Sequence, residues 1–348
     1  MTDTTATRLL DWYGQNARDL PWRNPPGQPL PSDPDWPYRV WLSEIMLQQT
    51  TVAAVRAYFA ALTARWPNVA ALAAADDANV MQAWAGLGYY ARARNLLACA
   101  RAVVHDHGGR VPADEAMLRT LPGIGDYTAA AIAAFAFGRH AIVIDGNVER
   151  IVTRLHTIDT PLPAARPLIR AVLETITPPA AGDFAQALMD LAGHICTPKA
   201  PRCLICPLQQ DCRAAASADP TQWPVKLAKR ARPTRHGTAW WLQLHGQVLT
   251  VVRPAKGLLG GMRALPSCDW RGDTTPPIAG DWQHLGAITH GFTHFELVLD
   301  VRALVLPQKP QLAGDWLNVD DVLSAGMPTL FHKAATLARA QLQSVEAA

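Results

Sequence analysis

Four of the six cysteines lie within one short stretch of the chain, and their spacing suits a metal centre. The stretch runs from Cys196 through Cys203 and Cys206 to Cys212, with six, two and five residues between neighbours. Thiolates so close in sequence can converge on one centre, whereas disulfides usually join distant segments of secreted chains, and we find no secretory signal. These four cysteines are therefore the expected metal ligands.

Two kinds of metal centre remain open for this stretch. Structural zinc usually takes two short C-x2-C pairs, and here only Cys203 and Cys206 form one. A [4Fe-4S] cluster tolerates unequal spacing, and Pro207 directly after Cys206 is typical of ferredoxin-type loops. The spacing favours an iron-sulfur cluster and leaves zinc as the alternative.

A second short motif, Gly123-Ile124-Gly125, lies between two stretches with a helical pattern. Such a motif allows a tight turn whose backbone N–H groups point outward at a helix N-terminus, where a phosphate oxygen binds well. The same motif also serves as a plain turn between helices, since glycine is common there. By itself it is weak evidence for binding.

Composition predicts a folded chain of two domains in the cytosol. The chain has 348 residues, 49% of them apolar and 18% charged, and no apolar run approaches the ~20 residues that span a bilayer. The net charge of +3 points only weakly to nucleic acid. We expect a monomer in the cytoplasm, associated with the nucleoid if the source is bacterial.

The pattern of apolar residues changes along the chain. Up to about residue 215 it repeats every three to four positions, which predicts helices at 69–85, 92–104, 127–137, 148–158 and 184–193, with Glu44 near the start of another. Alternating or β-branched runs at 240–244, 247–252 and 295–306 predict strands. We therefore expect a helical domain over 1–220, a basic linker over 221–237 and a smaller α+β domain over 238–348.

Several blocks resemble one known family. Gly-Ile-Gly at 123–125, Asp145 and the four cysteines together resemble the helix-hairpin-helix DNA glycosylases of the endonuclease III superfamily. Further blocks are similar to the adenine DNA glycosylase (MutY-type) branch: Leu-Pro-Trp-Arg at 20–23, Ser-Glu-Ile-Met-Leu-Gln-Gln-Thr at 43–50, Gly-Leu-Gly-Tyr-Tyr at 86–90 and Asp-Gly-Asn-Val at 145–148. The resemblance implies an α-helical helix-hairpin-helix domain with a [4Fe-4S] loop, and removal of adenine mispaired with 8-oxoguanine or guanine in double-stranded DNA.

The resemblance assigns catalytic roles to Glu44, Asp145 and Tyr127. Cleavage of an N-glycosidic bond calls for protonation of the leaving base and stabilisation of a cationic sugar, which two carboxyl groups in different environments can supply. Glu44 would protonate adenine, while Asp145 would stay ionised beside the sugar. Without the resemblance, Glu44 would be an acidic residue in a helix's first turn and Asp145 a turn or N-cap residue.

The resemblance also implies contacts to DNA, since a base must be turned out of the duplex before it reaches an active site. The residues that match the adenine pocket, the wedge that enters the base stack and the DNA-binding hairpin are Arg18, Leu20, Trp22, Arg23, Leu47, Gln49, Thr50, Tyr89, Gly123, Gly125 and Asn147.

The C-terminal part resembles the MutT/Nudix-like domain with which the family recognises 8-oxoguanine. Phe292, Thr293 and His294 stand where the family often has Phe-Ser-His in the loop that contacts the oxidised base. Threonine keeps the hydroxyl group of that serine and adds a methyl group. His294 alone would more often be a hydrogen-bonded residue of a sheet.

Two other functions remain open from the sequence. A bifunctional endonuclease III-like glycosylase and lyase would attack the sugar with a lysine amine, and Tyr127 stands where such enzymes carry that lysine. A non-enzymatic DNA-binding protein that needs a metal would not require both Glu44 and Asp145. The residues favour a monofunctional glycosylase.

Overall fold

The computed structural model describes residues 2–227, 231–254, 257–272 and 274–346. The chain divides into two compact units. The first contains the described residues of Met1–Ala83 and Arg92–Ala228, and the second contains those of Trp84–Ala91 and Lys229–Ala348. Among the described residues, no helix is both long enough and apolar enough to cross a membrane.

The first unit is built from helices, as the period of its apolar residues predicts. In chain order they are α1 (Thr2–Asn16), α2 (Trp36–Leu47), α3 (Val52–Arg65), α4 (Val69–Ala73), α5 (Asp77–Ala83), α6 (Ala91–Asp106, which begins one residue before this unit resumes), α7 (Glu115–Arg119), α8 (Asp126–Phe137), α9 (Gly146–His156), α10 (Arg166–Ile176) and α11 (Ala181–His194).

Helix α2 begins earlier than the sequence pattern indicates, so the expectation that Glu44 lies near a helix start is wrong. The helix starts at Trp36, with Pro37 in its first turn, and Glu44 lies in its C-terminal half. Proline fits a first turn because its fixed backbone angle is helical and its missing N–H has no partner there anyway. The helix that carries Glu44 therefore begins within residues 24–37, a stretch that contains six prolines.

Helix α8 lies at the centre of the first unit. Its residues from Thr128 to Ala136 are all buried, and most are alanine. Small side chains let neighbouring helices approach closely: α2 and α11 both pack on α8, and a Cβ atom on Gly182 of α11 would lie 2.8 Å from the Ala134 carbonyl oxygen. Because α8 is lined with small residues, it brings α2 and α11 near the helix start that carries Tyr127.

The second unit contains a mixed sheet. Its strands are β1 (Thr234–Leu244), β2 (Gln247–Val252), β3 (Arg263–Ala264), β4 (Gln283–Gly291), β5 (Glu296–Val305) and β6 (Asp315–Asn318). The order across the sheet is β3-β2-β1-β5-β4, with β6 also paired to β2. β1 runs parallel to β5, and the other pairs are antiparallel.

One long helix covers this sheet. Helix α12 (Thr329–Glu346) packs on β1, β4 and β5, and its side of the core includes Leu330, Phe331 and Ala334. Strand β1 begins at Thr234, inside the stretch 221–237 expected to be a linker; residues 228–230 of that stretch lie outside the described residues.

Candidate active site

A pocket of about 540 Å³ in the first unit brings together most of the residues that the sequence singles out. Its size lies within the range of small-molecule sites, about 300 to 1,000 Å³. It is lined by Arg18, Leu20, Trp22, Arg23, Glu44, Leu47, Gln48, Gln49, Thr50, Val52, Tyr127, Phe135, Asp145, Asn147, Gln186, Met189 and Gly193. These residues come from the segment after α1 and from the ends or faces of α2, α3, α8, α9 and α11.

Glu44 is the buried carboxyl group of this pocket. Its side chain projects from α2 and is 6% exposed. The pKa of Glu44 is raised to about 7, chiefly by burial. The hydrogen bond from Tyr127 and the charge of Arg23 lower this pKa in part, and the negative charge of Asp145 makes a smaller raising contribution. Near neutral pH a large fraction of Glu44 therefore carries a proton that it can donate.

Tyr127 lies directly beside Glu44. Its hydroxyl group donates a hydrogen bond of 2.7 Å to Glu44 Oε2. Burial, and then the negative charge of Glu44, raise the pKa of Tyr127 well above its ordinary value. The phenol therefore stays protonated and fixes the orientation of the glutamate.

Asp145 takes the N-cap position that the sequence offered as one of two alternatives, and it also lines the pocket. It is the N-cap of α9: Oδ1 accepts hydrogen bonds from the backbone N–H groups of Asn147 (2.9 Å) and Val148 (2.7 Å), and the Asn147 side chain donates to Oδ2 at 2.9 Å. The carboxylate also faces the pocket. The cap fixes its position at a helix N-terminus, where negative charge is favourable.

Asp190 organises the arginine side of the pocket, and sequence reasoning missed it. This fully buried carboxylate accepts hydrogen bonds from Arg18 Nε at 2.6 Å and from Arg23 Nη1 at 2.8 Å. The backbone N–H of Arg18 also donates to Asp190, at 3.0 Å. A lone acidic residue inside the apolar stretch Leu188–Leu191 is the signal that could have identified it, because buried charges are nearly always paired.

The structure places the other predicted contact residues in different surroundings. Leu20, Trp22, Leu47, Gln49 and Thr50 line the pocket together with Asn147.

Tyr89, Gly123 and Gly125 are not part of the pocket lining. Tyr89 is 57% exposed, in the segment Trp84–Ala91. Gly123 has a φ of 77° and Gly125 caps α8, so both shape the turn between α7 and α8. A Cβ atom on Gly123 would lie 2.7 Å from Cβ of Asn95, so only glycine fits.

The four predicted metal ligands line one small cavity. Three of them lie in a loop of short 3-10 turns after α11, and Cys196 lies just beyond the end of that helix. In the described part of the chain, no group of three or more His, Cys, Asp or Glu side chains is arranged to hold a metal ion. The four thiols line the same cavity but are not positioned as a complete set of metal ligands. Four cysteines around one cavity are nevertheless a suitable donor set for a thiolate-bound metal centre.

Two arginines of α9 secure the first part of this loop. Arg154 is 2% exposed and donates to Cys196 Sγ at 3.3 Å and to the carbonyl oxygens of Thr197 and Pro198. Arg150 donates to the Cys196 carbonyl oxygen at 2.8 Å and to the Asn147 side chain at 3.1 Å. These hydrogen bonds fix the position of Cys196 relative to α9.

The second unit presents the predicted recognition residues at the tip of a hairpin. The turn between β4 and β5 is closed by a hydrogen bond from Phe292 N–H to the Phe295 carbonyl oxygen at 2.8 Å, and the two rings stack with centroids 4.7 Å apart. The Arg235 guanidinium lies 4.1 Å from the ring centre of Phe295. Thr293 and His294 are exposed at the tip.

Comparison with known proteins agrees with this architecture. Residues 42–177 match the HhH-GPD superfamily of base excision DNA repair proteins, and residues 238–337 match the NUDIX domain. A thermostable thymine-DNA glycosylase of known structure superimposes with a TM-score of 0.54 at 26% identity, covering 62% of this chain and 96% of the other. The predicted fold class, a helix-hairpin-helix domain followed by a Nudix-like domain, is confirmed.

The raised pKa of Glu44 predicts a pH-dependent gain in stability on replacing this residue with glutamine. The folded state holds the Glu44 proton more tightly than the unfolded state, so the contribution of Glu44 to stability is full below pH 4.5 and is lost as pH rises through about 7. Each pKa unit corresponds to about 1.4 kcal/mol, so Glu44→Gln should raise the free energy of unfolding by up to about 3 kcal/mol at pH 8 relative to its effect at pH 4. Urea unfolding at both pH values measures this, and an equal effect at both would contradict it.

Relatives of known identity match along most of the chain. The adenine DNA glycosylase of Mus musculus is 34% identical over 96% of this chain and 78% of the mouse protein. That of Mycobacterium tuberculosis is 38% identical over 72% of this chain and 79% of its own length. Because the mouse protein is more than 30% identical over nearly the whole chain, the chain belongs to the adenine DNA glycosylase (MutY) family.

Proposed function

We propose that this protein is a monofunctional DNA glycosylase of base excision repair that removes adenine mispaired with 8-oxoguanine or guanine. The observation that carries the proposal is the pairing, in one pocket, of a buried glutamic acid whose pKa is raised to about 7 with a capped aspartate. Two carboxyl groups in such different environments suit an acid and an anionic stabiliser. The relatives named adenine DNA glycosylase support the choice of base.

Glu44 is the general acid of this mechanism. Adenine leaves poorly as an anion, so a proton from Glu44 to a ring nitrogen makes the departing base neutral. The 2.7 Å hydrogen bond from Tyr127 leaves the second carboxyl oxygen, Oε1, to address the substrate. After the base departs, the Glu44 carboxylate can accept a proton from the attacking water.

Asp145 stabilises the sugar as positive charge develops on it. Its three hydrogen-bond donors hold the carboxylate in one orientation, so little reorganisation is needed when the cation forms. Tyr127 cannot form the Schiff base on which a lyase depends, because it offers a protonated hydroxyl group and no amine. Water is therefore the nucleophile, and the product is an intact strand with an abasic site.

The target nucleotide must leave the duplex to reach this pocket, at a cost that is smaller for a mispair. Gln49 stands exposed at the pocket rim, as a residue that fills the vacated space would. Thr293 and His294, exposed on the hairpin of the second unit, are the proposed contacts to the base opposite adenine. The proposed substrate is therefore a mispaired duplex. We further propose that the protein binds it as a monomer in the cytoplasm.

The four-cysteine cavity is the proposed site of a [4Fe-4S] cluster, held by Cys196, Cys203, Cys206 and Cys212. When bound, such a cluster supplies structural support to the loop after α11. Arg150 and Arg154 of α9 fix the Cys196 end of the loop, and Cys206 and Cys212 pack against the same core as that helix.

The central test is excision by Glu44→Gln. The variant should bind a duplex containing adenine opposite 8-oxoguanine as wild type does, yet excise about 10² to 10⁴-fold more slowly, since it lacks the acidic proton. In wild type, the single-turnover rate should fall as pH rises through about 7. Abasic product is measured by alkaline strand cleavage.

Glu149→Gln is the matched control for this test. Glu149 is also a buried glutamate, but it pairs with Arg166 outside the pocket. Near-normal excision by Glu44→Gln, or a covalent DNA adduct trapped by borohydride, would refute the mechanism.

Iron and acid-labile sulfide should accompany the purified protein and give it a brown colour. Cys206→Ser should lose most of the iron and sulfide, because only three thiolates then remain around the cavity. Cys99→Ser changes a buried cysteine elsewhere and should keep both iron and sulfide. Metal and sulfide analysis decides the point. Zinc without sulfide in the wild-type protein would mean that the cluster assignment is wrong.

The hairpin tip should set the preference for the oxidised base. Replacing Thr293 and His294 together with alanine should slow excision opposite 8-oxoguanine at limiting enzyme and leave excision opposite guanine nearly unchanged, because only the former base engages the tip. His245→Asn changes an exposed turn at β1 and β2 and serves as the control. Equal losses on both duplexes would remove the hairpin from recognition.

A further inference from the structure

The turn between α2 and α3 holds an unusual backbone. Helix α2 ends at Leu47 and α3 begins at Val52, and between them Gln49 adopts a left-handed φ of 59°. This conformation is unfavourable for residues other than glycine, so neighbouring contacts must stabilise it. The carbonyl groups at the end of α2 also need donors, since the helix itself supplies none for its last turn.

Arg92 supplies these contacts. Its Nη1 donates to the carbonyl oxygens of Ile45 at 2.9 Å and Met46 at 3.0 Å, and its Nη2 donates to Thr50 Oγ1 at 3.2 Å. One guanidinium group therefore joins the last turn of α2 to the far side of the turn that contains Gln49. Thr50 in turn donates to the Gln48 carbonyl oxygen at 3.3 Å.

The position of Arg92 on α6 indicates that its charge stabilises the end of α2 rather than its own helix. It lies in the first turn of α6, where the helix dipole disfavours a positive charge. The end of α2 is the opposite case, because a cation beside the last carbonyl groups of a helix is favourable.

We propose that Arg92 is a positioning residue that stabilises the 48–51 turn with Gln49 in its left-handed conformation, and thereby keeps Gln49 at the pocket rim, ready to enter the duplex. This inference rests on the proposed glycosylase function. Arg92 acts through the turn and does not touch the substrate.

The same helix offers a matched comparison. Arg101, also on α6, donates to the Ala73 and Ala75 carbonyl oxygens after α4 and pairs with Asp77. It therefore bonds to carbonyl groups at and just beyond the end of a helix, much as Arg92 does, but away from the pocket. Methionine at either position keeps the apolar stem and removes the donors.

Hydrogen exchange on the free protein tests the structural part. Arg92→Met should speed exchange of the amides in 47–51 by about tenfold or more and leave other segments unchanged, because the turn loses its anchor. Arg92→Lys keeps the charge but cannot bridge three acceptors, so it should fall between wild type and Arg92→Met. Arg101→Met should affect only the segment around 73–77.

Single-turnover excision tests the functional part. Arg92→Met should excise adenine opposite 8-oxoguanine about 10 to 100-fold more slowly than wild type, and Arg101→Met within about twofold of it. The loss should shrink when the adenine lies in a bulge, since less unstacking is then required. A purely structural defect would slow both substrates equally.

Three results would overturn the inference: unchanged exchange in 47–51, an equal loss in Arg101→Met, or an equal loss on paired and bulged adenine. If wild type itself fails to excise adenine, the proposed function is wrong. In that case the exchange experiment still decides whether Arg92 holds the turn.

Discussion

The burial of one carboxyl group determines how this molecule is organised. Glu44 could not remain at 6% exposure as a fully ionised group without a large free-energy cost, so its pKa rises to about 7 and Tyr127 donates a hydrogen bond to it. The alanine-rich face of α8 makes this burial possible, because it lets α2 approach until the tyrosine at the start of α8 meets the glutamate near the end of α2. The packing of α2 on α8 thus gives the Glu44 carboxyl group its raised pKa.

Local signals in the sequence were enough to identify much of the site. The cysteine spacing located a loop whose thiols converge, and Gly123 needs a left-handed backbone and a close approach to Asn95 that only glycine allows. For Asp145 the sequence offered a choice between cap and active-site residue, and in the structure this carboxylate caps α9 and also lines the pocket. The cap does not exclude the proposed chemistry, since it holds the carboxylate in one position.

Features that depend on partners distant in the sequence could not be predicted from it. Asp190 pairs with arginines more than 160 positions away, and nothing around it indicates those partners. Strand β2 was predicted with its observed bounds because it is a compact apolar run, whereas β4 contains two glycines and a bulge and does not alternate cleanly. Helix α12 was not identified, although Leu330, Phe331, Ala334, Ala335 and Ala338 recur at helical spacing.

The ion pairs around Asp190 have a consequence for the electrostatics of the pocket. Arg18, Arg23 and Asp145 line the pocket, and the buried Asp190 pairs with both arginines, so that two positive and two negative charges lie in or beside its wall. With Glu44 protonated, the formal charges cancel, so the cavity offers no net attraction to an anion. An uncharged heterocycle suits such a cavity better than a phosphate does, so the proposed binding of duplex DNA calls for phosphate contacts on other surfaces of the protein.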